Sequence, residues 1–244
     1  MDANAYDAWL FDLDGVITDT ASVHASAWKR AFDAFLEARA KAEGEPFRPF
    51  DAEADYLRYV DGKPRYDGVD SFLRSRGIEL TWGDPEDEAG APTVCGLGNN
   101  KNALFNQVLE DEGVEVFASS VELIEALRER GKRIAVVTSS KNCDRVLEVA
   151  GLRELFDAKV DGNVAAELAL AGKPDPETYA TAARFLEATP ARSVVVEDAI
   201  SGVEAGKAGG FGLVVGVARH DDPNTLQDSG ANVVVHDLGE LQLA

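Results

Sequence analysis

Two apolar rhythms alternate along this chain. Segments rich in apolar residues at 8–13, 133–138, 193–197, 213–217 and 233–235, with a shorter one near 158–160, read as strands. Between them, apolar residues recur three and four positions apart, the spacing of one helix face. Trp28, Phe32, Phe35 and Leu36 form such a stripe in a helix predicted over 21–42. Gly-Glu-Pro-Phe-Arg-Pro-Phe at 44–50 breaks it, and short helices follow near 52–60 and 68–76, the second closed by Gly77 as a C-cap. Residues 81–98 read as one long acidic loop, of a length that is often functional or mobile, before a helix over 99–112. Ser119 and Glu122 have capping-box spacing and open a helix reaching Gly131; further helices are predicted at 142–150, 176–188 and 201–209.

Strands alternating with helices imply a parallel sheet. The first strand belongs to that sheet but is separated from the others by a long, mostly helical stretch. The expected architecture is α/β: a Rossmann-like parallel sheet core, residues 1–19 and 105–244, with a mainly helical cap inserted over 20–104. The 244 residues, 45% of them apolar, suit a core with one inserted lobe. No apolar run approaches the ~20 residues that span a bilayer, and Met1-Asp2-Ala3-Asn4 lacks the positive start of a signal peptide. Cys95 and Cys143 are too few for a disulfide framework, which points to a reducing cytoplasm. With no long apolar stripe unassigned, a monomer is expected.

The net charge of −20 narrows the partners. Such a field repels nucleic acid and anionic membrane, and neither is expected as a partner. It would repel a phosphorylated substrate too, so an anion site must be locally basic or built from a metal and backbone N–H groups. A high-salt habitat would also account for the acidity.

Candidate chemistry begins at Phe11-Asp12-Leu13-Asp14-Gly15. Side chains i and i+2 of a strand share a face, so Asp12 and Asp14 are expected to point together, and Gly15 lets the chain turn. Two such carboxylates suit magnesium, which takes oxygen ligands and often keeps only one or two protein carboxylates; a solvated acidic turn is the alternative. Ligands of an open parallel sheet bind at the strands' carboxyl ends. Three further segments sit at such ends. Thr138-Ser139-Ser140-Lys141-Asn142 offers hydroxyls and a helix N-terminus to an anion, or is an ordinary helix cap. Lys173-Pro174-Asp175-Pro176 opens a helix, or is a proline-shaped turn with an exposed lysine. Glu197-Asp198 ends a strand as metal ligands, or as carboxylates favouring the next helix N-terminus.

In this order, these segments resemble the four motifs of the haloacid dehalogenase superfamily: Asp12-x-Asp14-Gly15, Thr138, Lys173, and Glu197-Asp198. The stretch Asp12 to Thr20 followed by His24 and Trp28, with Ser139-Ser140-Lys141-Asn142 and Gly172-Lys173-Pro174, is similar to its β-phosphoglucomutase branch. That resemblance implies an enzyme in which Asp12 attacks phosphorus to form an aspartyl-phosphate, and Asp14 serves as acid and then base. Thr138 and Lys173 would hold phosphoryl oxygens. Magnesium would be held by Asp12, the Asp14 carbonyl and Asp198, with Glu197 as a further ligand or behind them.

It also implies that cap residues Arg65 and Lys101 meet the substrate's distal phosphate, with Ser139, Ser140, Lys141 and Asn142 also on the substrate. Read without the resemblance, Arg65 and Lys101 are solvated surface charge. Thr20 would lie at the hinge; His24 would couple substrate binding to Asp14, or be a partly buried structural histidine. The cap departs from the branch at 40–55 and 81–98, and Asp61 stands where a cap-loop lysine is expected, a role Lys63 could take. The implied substrate is a sugar phosphate. The implied reaction is a mutase converting β-glucose 1-phosphate to glucose 6-phosphate via a bisphosphate. A sugar-phosphate phosphatase is the alternative, and a non-catalytic phospho-ligand binder, disfavoured by the intact Asp12, a distant one.

Overall fold

The computed structural model describes residues 3–60, 63–219 and 222–243. Asp61 and Gly62 lie outside the described residues, so the expectation attached to Asp61 does too. The chain divides into two units, Met1–Thr20 with Val114–Ala244, and Ala21–Gly113.

In the first unit, a parallel sheet is built from β1 (Ala8–Phe11), β4 (Arg133–Val137), β5 (Ala158–Val160), β6 (Ser193–Glu197), β7 (Leu213–Val217) and β8 (Val233–Val235). Their order is β5-β4-β1-β6-β7-β8. The antiparallel pair β2 (Thr18–Asp19) and β3 (Glu115–Val116) accompanies the two crossings of the chain between units. β1, β6 and β7 are buried along their whole length, which is why they read as unbroken apolar runs rather than alternating ones. Phe11 is aligned with Val136 on one side and Val196 on the other. This register brings the carboxyl ends of β4, β1 and β6 side by side, at the point where strand order reverses, which is where open α/β sheets bind ligands.

The second unit holds α1 (Thr20–Glu43, whose first residue closes the first unit's opening segment), a π-helical turn (Tyr56–Val60), α2 (Arg65–Ser75) and α3 (Val94–Glu112). Its core is aromatic: the Phe32 and Phe72 rings lie 4.2 Å apart, and Phe50 packs on both. Because α3 continues unbroken past residue 105, the second crossing falls at Gly113–Val114.

Three local expectations change. Helix α3 starts at Val94, capped by Thr93, whose side chain accepts from the Gly96 N–H, so the loop is 81–93. Asp87 accepts from the Thr93 hydroxyl, and Asn99 donates to the carbonyls of Pro85 and Asp87, so this loop is tied down by its own polar groups. The Ser119 capping box does not form: α4 (Ala118–Glu129) has no side-chain cap, Ser119 donates to Asp237, and Ser120 donates to the Val16 carbonyl. The remaining helices are α5 (Cys143–Ala150), α6 (Gly162–Glu167), α7 (Glu177–Phe185), α8 (Ile200–Ala208) and α9 (Pro223–Ser229), of which α6 and α9 have no counterpart in the sequence reading. Among the described residues, no helix is long and apolar enough to cross a membrane.

Candidate active site

The site of the first unit grows from the ends of β1, β4 and β6. Asp12 follows β1 and still donates its N–H to the Val196 carbonyl, 2.9 Å. The strand stops at Phe11, so Asp14 stands in a turn and not, as the i, i+2 spacing suggested, on the strand. That turn is closed by Gly15 N–H to Thr18 carbonyl, 2.8 Å, with Gly15 at φ +82°. A side chain at Gly15 would also collide with the Asp198 carboxylate, so glycine is required twice over.

Lys173 is the centre of the arrangement. Its ammonium donates to Asp12 Oδ1 (2.5 Å), Glu197 Oε1 (2.6 Å) and the Val137 carbonyl (3.2 Å), and lies over the Tyr179 ring. The exposed-turn reading of Lys173 does not hold, for its side chain is 8% exposed. Burial opposes its charge, yet the Asp12 and Glu197 carboxylates hold its pKa well above the ordinary lysine value. Glu197 is spoken for on both oxygens, since Oε1 also accepts from the Tyr179 hydroxyl (3.0 Å) and Oε2 from the Ala199 N–H (2.9 Å). Tyr179 was missed by the sequence reading; one tyrosine on an amphipathic helix carries no pattern that marks it.

Asp14 faces other partners. Its carboxylate accepts from the Thr20 hydroxyl and from that of Thr138, the latter at 3.2 Å. Burial raises its pKa against those two hydrogen bonds. Ser140 and Asn142 form a tight turn after β4: Ser140 N–H donates to Thr138 Oγ1 and Asn142 N–H to Ser140 Oγ. Gly162 N–H to the Ser140 carbonyl and Asn163 Nδ2 to the Lys141 carbonyl brace it from behind. Ser139 and Lys141 are exposed. Cys143 is buried at the start of α5, and burial raises its thiol pKa, consistent with a helix residue and not a nucleophile.

Carboxylate oxygens of Asp12, Glu197 and Asp198 lie within 4.8 Å of one another. Burial, with the charges of Glu197 and Asp14 opposing Lys173, pushes Asp12 up to about 8; burial, then Glu197 and Asp12, push Asp198 up to about 9. One ammonium cannot neutralise this many acids. A hard divalent cation taking oxygen ligands fits that donor set.

In the second unit, Lys101 is 5% exposed, which removes the surface-charge reading for it. Its ammonium meets His24 Nδ1 at 2.6 Å and lies about equally far from the Trp28 and Phe105 rings. Because an ammonium only donates, Nδ1 of His24 accepts and the ring is neutral; burial first, then the charges of Lys101 and Arg65, lower its pKa well below the usual value. Arg65, half-buried at the start of α2, donates Nη2 to Asn102 Oδ1, 2.9 Å. Lys63 is exposed and donates to Ser71.

A parallel sheet with a nucleophile-type carboxylate, a buried lysine and a pair of metal-suited acids at its switch point defines a phosphoryl-transfer enzyme. The sequence profile of haloacid dehalogenase-like hydrolases matches residues 6–210, and the chain belongs to that family, in its β-phosphoglucomutase-like branch. It is 50% identical over 237 residues to a beta-phosphoglucomutase of Mycobacterium bovis, covering 96% of this chain and 90% of that one. It is 27% identical over 233 residues to a phosphorylated carbohydrates phosphatase of Thermotoga maritima, covering 94% of each. A solved Thermotoga maritima structure provisionally named a beta-phosphoglucomutase has a TM-score of 0.72 at 26% identity, covering 96% of this chain and 95% of that one.

Proposed function

We propose that this enzyme is a magnesium-dependent β-phosphoglucomutase, moving a phosphoryl group between β-glucose 1-phosphate and glucose 6-phosphate through a bisphosphate and an aspartyl-phosphate on Asp12. The observation that carries the chemistry is the division of labour between two acids. Asp12 is paired with an ammonium and stands among the acids suited to magnesium, so a bound cation would ionise it, whereas Asp14 faces the neutral hydroxyls of Thr20 and Thr138 and burial raises its pKa. An ionised Asp12 attacks phosphorus, and Asp14 gives its proton to the leaving sugar oxygen, then takes one from the incoming hydroxyl. Lys173 holds Asp12 in place and balances charge on the phosphoryl oxygens, with Thr138 contributing a hydroxyl. Asp12 and Asp198, with the Asp14 carbonyl, would hold magnesium, and Glu197, engaged by Lys173, Tyr179 and Ala199, would back them. When bound, the ion neutralises charge on the transferring group.

The mutase is preferred to a phosphatase on the half-identical mycobacterial relative and on the basic groups available for a second phosphate. Each unit has groups of its own that could meet a phosphate: Arg65 and Lys101, with His24 beside them, in the second, and Ser139, Ser140, Lys141 and Asn142 in the first. A sugar-phosphate phosphatase is the second reading, favoured by the Thermotoga maritima relative and by the cap's departures from the branch. The two differ in what accepts the phosphoryl group. The test is to phosphorylate the protein with glucose 1,6-bisphosphate, locate the label on Asp12 by mass spectrometry after quenching, and follow its loss. The mutase reading expects β-glucose 1-phosphate to discharge the label far faster than buffer alone. Equal rates with and without sugar would favour the phosphatase.

A further inference from the structure

We infer that Arg219, on no motif of the family, is a positioning residue that fixes Asp14 by clamping the turn on which it stands. The inference rests on the proposed acid–base role of Asp14.

The turn needs such a clamp. Its pivot is Gly15, whose missing side chain leaves the backbone free to rotate about the next peptide, and that rotation would carry the Asp14 carboxylate away from its station. Gly15 N–H is held by the Thr18 carbonyl, 2.8 Å, and the Gly15 carbonyl accepts from Arg219 Nε, 3.3 Å. Both ends of the glycine are thereby restrained. The guanidinium is itself immobilised from three sides. Its carbon lies 3.8 Å from the centre of the Phe117 ring, a stacked cation–π contact. Its Nη1 donates to the His236 carbonyl (3.3 Å) and to Asp237 Oδ2 (3.1 Å). Asp237 is anchored in turn by the Ser119 hydroxyl, 2.8 Å, and by the Gly239 N–H, 2.8 Å.

Phe117 closes the circuit. Its N–H donates to the Ile17 carbonyl, 2.9 Å, and it follows β3, which pairs with Thr18–Asp19. Arg219 thus grips the Asp14–Thr20 turn through the Gly15 carbonyl and, through Phe117, the strand pair against which that turn lies. A planar, forked side chain is suited to stacking and bonding at once; lysine is not.

The test separates acid catalysis from general damage by choice of leaving group. Acetyl phosphate expels a weakly basic carboxylate and needs no proton from Asp14, whereas a sugar phosphate does. Single-turnover phosphorylation of Asp12 is measured with each donor for the parent protein, Arg219→Gln, Phe117→Leu and Asp14→Asn. Arg219→Gln is expected to slow phosphorylation by glucose 1,6-bisphosphate on the order of tenfold or more, with acetyl phosphate changed less than about twofold. Phe117→Leu, which keeps an apolar side chain at that position, should show the same split more weakly, and it carries the test if Arg219→Gln does not fold. An equal loss with both donors, or with neither, in the folded variant overturns the assignment while leaving the role of Asp14 intact. If Asp14→Asn itself fails to distinguish the donors, the acid role falls and the assignment of Arg219 falls with it.

Discussion

Asp12, Glu197 and Asp198 cluster at a point where one ammonium, that of Lys173, bonds the first two, and this residue-scale imbalance has a measurable sign. Asp12 and Asp198 have folded pKa values of about 8 and about 9, above the ordinary aspartate value of 3.8. Over that interval the folded state retains protons that the unfolded chain has released. The cluster's contribution to stability is therefore present below about pH 4 and is lost as pH rises through the folded values. A cation among the carboxylates reverses this, because it binds the deprotonated forms. Magnesium is thus expected to raise the melting temperature more at about pH 8.5 than at about pH 6, and Asp198→Asn to melt higher than the parent without magnesium while losing most of that shift. Scanning calorimetry at both pH values checks it; a magnesium shift that is equal at both, or larger at the lower, contradicts the cluster's role.

At the scale of elements, the chemistry depends on helices that approach strand ends closely. Helix α8 does so through Gly202, where an added Cβ would overlap the Glu197 carboxylate. Gly202→Ala is expected to cost about 1–3 kcal/mol in urea denaturation through overpacking, with a fall in turnover as Glu197 is pushed off Lys173. A change within about 0.5 kcal/mol, the range of ordinary surface substitutions, would contradict that packing account. What the chain discloses in advance follows the same physics. β6 and β7 are legible because strands buried on both faces are rich in valine and leucine, and Asp12, Thr138, Lys173 and Glu197 because each stands at or just beyond a strand end or before a helix in a distinctive order. The start of α3 is hidden because Gly96 and Gly98 read as loop, whereas they are the positions where Ala91 and the Tyr66 ring leave no room for a side chain. β2 and β3 are too short to have a period, and α6 and α9 are short helices lost between turn residues. Tyr179 and Arg219 acquire meaning only through partners distant in sequence, which no local pattern announces.

For the whole molecule, a net charge of −20 sets a global field that disfavours phosphate esters, so affinity for them must be generated locally. In the proposed reading the first unit would do this with Lys173, the braced turn after β4 and a carboxylate set suited to magnesium; Arg65 and Lys101 of the second are each held by a neighbour of their own unit. Charge and fold are common to mutase and phosphatase, and the fate of the phosphoryl group separates them. The most direct measurement is phosphorus NMR of the protein with magnesium and β-glucose 1-phosphate, primed with a trace of glucose 1,6-bisphosphate. The account predicts stoichiometric conversion to glucose 6-phosphate without inorganic phosphate. Inorganic phosphate as the main product would contradict it and make the enzyme a phosphatase.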